Sequence, residues 1–152
     1  MALPNIFSKE VSDGIISRIN NLTNETQAKW GKMNVSQMLG HCCVTYEYIY
    51  TEKHKKPGAF MRFILKTMVK KPVTNEISYK QNLRTGPDFV ITDKREFEFE
   101  KKRLIEFIQR VQQEGESKFD GRNSHSFGTL NKTEWNNMFY KHLDHHLSQF
   151  GV

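Results

Sequence analysis

Three of the six histidines fall within Tyr140-Lys141-His142-Leu143-Asp144-His145-His146. A neutral imidazole gives one nitrogen to a divalent metal while its other nitrogen makes an orienting hydrogen bond, so clustered histidines point first to metal chemistry. On a helix, His142 and His146 lie four residues apart on one face and can direct both rings at a single ion. A helical wheel separates them from His145. The apolar set Trp135, Met138, Phe139, Leu143, Leu147 and Phe150 defines an inward direction. From it His146 departs by about 25°, His142 by about 65° and His145 by about 125°. His145 therefore leans toward solvent or an adjoining element. A catalytic metal usually takes three protein ligands, so a third must come from elsewhere in the chain. His41, His54, His125, the acids and the two cysteines are the candidates. His54 stands among lysines, a poor place to concentrate a cation, and His125 lies in the loop before the last helix. His41 belongs to an earlier helix, well off its main apolar stripe.

Four helical segments must position these residues. The first runs from about Ser8 to Asn21, with Val11, Ile15, Ile16, Ile19 and Leu22 at helical spacing behind a Ser8 cap. The second opens at Asn34-Val35-Ser36-Gln37, which has the form of a capping box, and runs to about Thr51. The third spans about Asp93 to Glu114, with Phe97, Leu104, Ile105, Ile108 and Val111 facing inward. The fourth opens at Asn131-Lys132-Thr133-Glu134, a second cap with an acid at its third position. It stops at Gly151, a natural residue just past a helix end. Strand-like alternation is scarce, so the class is all-α.

About forty residues, Glu52 to Thr92, separate the second and third helices, which permits a long crossover connection in a four-helix bundle. A small basic helix, Ala59 to Val69, is expected there, packed over one end of the bundle. With 152 residues the chain fits a single domain, 1–152.

Composition narrows the function classes. No run of about 18 apolar residues exists to span a membrane. Lys9, Glu10 and Asp13 arrive before any apolar leader core, so the expectation is a cytoplasmic protein. Adjacent Cys42 and Cys43 diverge on a helix and read first as small buried hydrophobes in a reducing compartment. The net charge of +6 attracts anions, with its densest cluster at Lys53, Lys55, Lys56, Arg62, Lys66, Lys70 and Lys71. No nucleic-acid motif accompanies it, so nucleic acid is disfavoured as a partner, while exposed aromatics would admit a homodimer.

The stretch Trp30-Gly31-Lys32-Met33-Asn34-Val35-Ser36-Gln37-Met38-Leu39-Gly40-His41 resembles the start of helix two in the DinB/YfiT-like superfamily of metal-dependent enzymes. Phe127-Gly128 through Trp135 and Tyr140 through Gly151 resemble the C-terminal signature of a bacterial subgroup of it. The resemblance implies a four-helix bundle with a crossover. It also implies a divalent metal, zinc or nickel before iron, held by His41, His142 and His146. The implied activity is a metal-dependent transferase that joins a low-molecular-weight thiol to an electrophilic substrate. The alternatives are a metal-dependent hydrolase of the same fold and a basic nucleic-acid or anion-binding module without catalysis. Asp144 or Glu47 is expected to orient an imidazole N–H, and Tyr46, Glu47 and His125 stand as acid/base candidates by their nearness to the motifs.

Overall fold

The computed structural model describes residues 1–152. Its helices are α1 (Lys9–Asn20), α2 (Val35–Tyr50), α3 (Ala59–Ile64), α4 (Lys70–Thr74), α5 (Phe97–Glu114), α6 (Glu116–Phe119) and α7 (Lys132–Gln149). A small antiparallel hairpin, β1 (Arg122–Ser124) and β2 (Gly128–Leu130), precedes α7. No helix is long and apolar enough to cross a membrane.

Local hydrogen bonds set the helix starts. The Asn34 side chain accepts from the Gln37 amide, and the Gln37 side chain accepts from the Asn34 amide, so two donors of the first turn of α2 are satisfied at once. Asn131 and Glu134 repeat the device at α7. Ser8 caps α1 through the Val11 amide. Past the end of α7, Gly151 takes φ +79°, the left-handed conformation that closes many helices.

The four long helices share one core. α1 and α2 each pack on both α5 and α7. Ile15 and Ile19 of α1, Met38, Leu39 and Cys42 of α2, Leu104 and Ile108 of α5, and Phe139, Leu143 and Leu147 of α7 meet there, all buried. Tyr46 stacks between Phe107 and Phe139, with ring centroids 5.5 and 5.3 Å away.

Three expectations need correction. The chain is mostly helical but not all-α. The hairpin pairs Arg122 with Leu130, Asn123 with Thr129 and Ser124 with Gly128. Strands of three residues are too short to show alternation, and the turn is tied by side-chain bonds: Ser124 donates to the Gly128 carbonyl at 2.7 Å and accepts from the Phe127 amide at 2.9 Å. The third long helix begins at Phe97, not Asp93. Asp93 and Glu100 both pair with Arg95, at 3.0 and 3.1 Å, which holds the preceding residues outside the helix. The basic helix expected at Ala59–Val69 is instead α3, then a π-helical turn at Leu65–Val69, then α4. The helical run is unbroken from Ala59 to Thr74, and Pro72, which lacks an N–H, stands in its last turn just after the π-helical one. This segment lies along α7: Asn137 donates to the Thr74 carbonyl at 2.9 Å. Lys141 Nζ donates to the carbonyls of Pro72 and Asn75, both at 2.8 Å.

Candidate metal centre

α7 presents three faces. Trp135, Phe139, Leu143 and Leu147 enter the core. Asn137 and Lys141 hold the crossover connection, and His145 continues that side, its ring 5.7 Å from Tyr79 and 5.9 Å from Trp30. Met138, His142 and His146 form the third face, toward a cavity. The one-turn spacing of His142 and His146 therefore has a structural consequence: both rings turn the same way.

His41 meets them from α2. Its Nε2 lies 2.9 Å from His142 Nε2, and its ring centroid is 4.4 Å from that of His146. One ligand atom from each of the three lies within 4.8 Å of the others. His41 and His146 are buried, and His142 is half-buried where its edge meets the cavity. The wheel underrated His41 because α2 is buried around most of its circumference, so its apolar stripe does not define its inward side.

Each ring is oriented from behind through Nδ1. His41 donates to the Phe89 carbonyl at 2.8 Å. His146 Nδ1 is 2.8 Å from Gln149 Oε1, and the Gln149 amide nitrogen donates to the Trp30 carbonyl at 2.8 Å. His142 Nδ1 is 3.2 Å from the Thr45 hydroxyl. A carbonyl only accepts, so His41 carries its proton on Nδ1 and keeps a lone pair on Nε2. The Gln149 amide is fixed by Trp30, which imposes the same tautomer on His146. The hydroxyl of Thr45 can donate or accept, so His142 can donate from Nε2 to His41 Nε2 at 2.9 Å here and switch tautomer when a metal takes that proton's place.

The acids expected in this orienting role are elsewhere. Asp144 pairs with Arg18 at 2.8 Å, on the α1 side of α7. Glu47 faces α5, where it meets Arg103, Lys53 at 3.2 Å and His54 at 2.5 Å. Burial alone would raise the Glu47 pKa, but hydrogen bonds from His54, Arg103 and Lys53 prevail and hold it below the usual carboxylate range. Of the partners actually used, only Gln149 was readable, three residues from the His146 it serves, whereas Thr45 reaches His142 from 97 positions away. The Phe89 carbonyl carried no signal.

Burial keeps the three rings neutral. It drives His142 well below the ordinary histidine range and His146 to about 3, and neighbouring imidazoles push both the same way. His41 is lowered by burial as well, against the opposing hydrogen bond to Phe89. Neutral imidazoles are what a metal requires of its ligands. At a zinc–nitrogen distance of about 2.0–2.1 Å, tetrahedral ligands stand about 3.3 Å apart, so the 2.9 Å separation opens by a small ring rotation. The set fits: these three side chains could hold a divalent ion.

The cavity beside them measures about 1090 Å³. The segment between α2 and α5 supplies much of its wall, including Leu65, Val69, Tyr79 and Phe89. Lys32, Lys55, Lys80 and Arg84 line it, against Asp88 as its one acid. His125 also lines it, stacked on Tyr48 with centroids 3.8 Å apart. Tyr46, by contrast, is locked in the core, where burial raises its pKa well above the usual tyrosine value. Cys42 and Cys43 are buried free thiols with raised pKa values, Cys43 at about 12, as small hydrophobes would be.

Fold and site together define a mostly helical protein with a buried three-histidine cluster beside a large cavity. The family described as "Protein of unknown function (DUF1569)" matches residues 8–151, and the chain belongs to that family. This overturns the resemblance to the DinB/YfiT-like superfamily. The motifs that suggested it are a capping box before a histidine and histidines one turn apart, local patterns that do not distinguish one helical family from another. No curated protein and no solved structure matches the chain.

Proposed function

We propose that this protein is a metal-dependent enzyme in which His41, His142 and His146 hold a divalent ion, zinc or nickel before iron. The cavity then receives a small thiol and an electrophilic acceptor. The observation that carries this reading is the convergence of three neutral rings, each engaged behind through Nδ1, with one ligand nitrogen from each within 4.8 Å of the others. When bound, a divalent ion supplies positive charge and open coordination positions, which lower the pKa of a water or thiol ligand toward neutrality.

The chain's own residues favour thiol transfer over hydrolysis. Hydrolysis calls for a base beside the attacking water. Asp88, the one acid of the lining, already accepts from the Tyr48 hydroxyl at 2.8 Å. A thiol that has lost its proton needs no further base. Four cations against one acid suit an anionic thiol or acceptor. Metal-dependent hydrolysis is a second reading, and it draws on His125: burial lowers its pKa, so its ring is neutral and can accept a proton. In both readings the four long helices act as a four-helix bundle with residues 52–92 as its crossover. They fold as one domain that works in the cytoplasm, where thiols stay reduced.

Elemental analysis of the native protein beside His41→Ala, His142→Ala and His146→Ala tests the centre. One metal per chain, lost in each variant, is expected; metal retained by His41→Ala would remove His41 from it. The metal-loaded protein is then assayed with low-molecular-weight thiols and a chromogenic electrophile, in parallel with an activated ester. Thiol consumption dependent on all three histidines supports transfer. Ester cleavage without added thiol, lost in His125→Ala, supports hydrolysis instead.

A further inference from the structure

The crossover connection is built unlike the rest of the surface. Between Lys53 and Asn75 it carries seven cations, Lys53, Lys55, Lys56, Arg62, Lys66, Lys70 and Lys71, and no acid. Lys53 pairs with Glu47 and Lys70 with Glu134. Lys55, Lys56, Arg62, Lys66 and Lys71 have no carboxylate partner, and Arg62 Nε is buried without any acceptor. Large apolar side chains stand out from the same segment: Phe60 is 77% exposed, Phe63 65% and Met68 72%. The π-helical turn contributes to this arrangement. It carries Met68, so the widened turn and an exposed apolar side chain coincide. The opposite side of the segment is spoken for, since Leu65 and Val69 line the cavity.

We infer that Ala59–Thr74 docks the protein on an anionic membrane surface, with Phe60, Phe63 and Met68 entering the interface and the unpaired cations meeting lipid headgroups. A short amphipathic helix with aromatic and aliphatic residues on one side and Lys or Arg beside them is the usual interfacial binder. Each Lys or Arg adds attraction to acidic lipid, and that attraction fades with salt. Charge argues against a second copy of this chain as the occupant. In a two-fold contact the exposed Lys56, Lys66 and Lys71 would face their own copies with no acid of the segment between them. The metal centre does not enter the argument, so this inference and the enzymatic one stand or fall separately.

The test is co-sedimentation of the full chain with vesicles of phosphatidylcholine alone and of phosphatidylcholine mixed with phosphatidylglycerol. Two variants accompany it, both changing exposed side chains: Phe60→Ser/Phe63→Ser/Met68→Ser and Lys56→Glu/Lys66→Glu/Lys71→Glu. Circular dichroism and metal content confirm that each remains folded. Binding at least about tenfold tighter to the acidic vesicles is expected, lost at high salt and weakened about tenfold or more in both variants. Equal binding to both vesicles, no binding to either, or binding unchanged in the variants would overturn the inference. So would a wild-type dimer that the serine variant dissolves. A duplex DNA fragment that displaces the vesicles and still binds the serine variant as tightly would assign the face to nucleic acid instead.

Discussion

Two buried polar clusters flank α2, and they differ in one respect. On the α5 side, Glu47 is met by Arg103, Lys53 and His54, and Arg103 reaches on to Glu100 at 2.8 Å. Charges cancel there and the carboxylate is fully engaged. On the cavity side, His41, His142 and His146 bring three neutral rings together, each anchored at its outer nitrogen, with only the 2.9 Å contact between His41 and His142 joining the inner ones. A saturated cluster ties helices together. A cluster of neutral rings with so few internal partners costs the fold something and is a candidate binding site.

Substitution should separate the two. His142→Ala is expected to abolish metal binding, read by elemental analysis, whereas Glu47→Gln leaves metal content unchanged. The Glu47 change should instead destabilise the chain by about 1–3 kcal/mol in denaturant unfolding, since Arg103, Lys53 and His54 lose a charged acceptor while Arg103 keeps Glu100. Metal loss in Glu47→Gln would erase the distinction.

Acid should dismantle the clusters in different windows. His146 is held at about 3 in the folded chain against an ordinary 6.5. Between those values the unfolded chain binds the extra proton. Stability of chelator-treated protein is therefore full above pH 6.5 and falls as pH drops toward 3. Glu47 is lowered from an ordinary 4.5, so its contribution persists to more acid pH and is lost only below that value. His146→Gln should flatten the upper part of the profile and Glu47→Gln the lower part, as followed by thermal melts across pH. A single shared window would contradict the assignment.

Smaller effects probe the orienting shell. Gln149→Leu removes the acceptor of His146 and should weaken metal affinity by about 10–100-fold while keeping one metal at saturation. Gly31→Ala acts on the same bond from outside. Gly31 has φ +84°, and an added Cβ would lie 2.5 Å from the Gln149 amide nitrogen. A loss of about 1–2 kcal/mol of stability and a several-fold weaker metal affinity are expected. Unchanged affinity in both variants would show that His146 is oriented by packing alone.

Much of this was legible in the residues, for identifiable reasons. The boxes at Asn34–Gln37 and Asn131–Glu134 close within three residues, so sequence spacing states them outright. The same holds for His142 and His146, and for Gln149 one turn further on. The start of α5 was misread because Asp93 and Arg95 continue a charged pattern while their ion pairs hold them outside the helix. The hairpin was missed because its stability comes from Ser124 bonding across the turn, which periodicity does not record.

By itself, then, the sequence determined the helices that bear the histidines and the shared face of two of them, because those depend on bonds and angles repeating every three or four residues. Only the tertiary structure decided that His41 is the third member, that the Phe89 carbonyl steadies it, and that Trp30 pins Gln149. His41 and His142 are 101 positions apart. Their meeting depends on which sides of α2 and α7 the shared core turns away, and no local spacing encodes that.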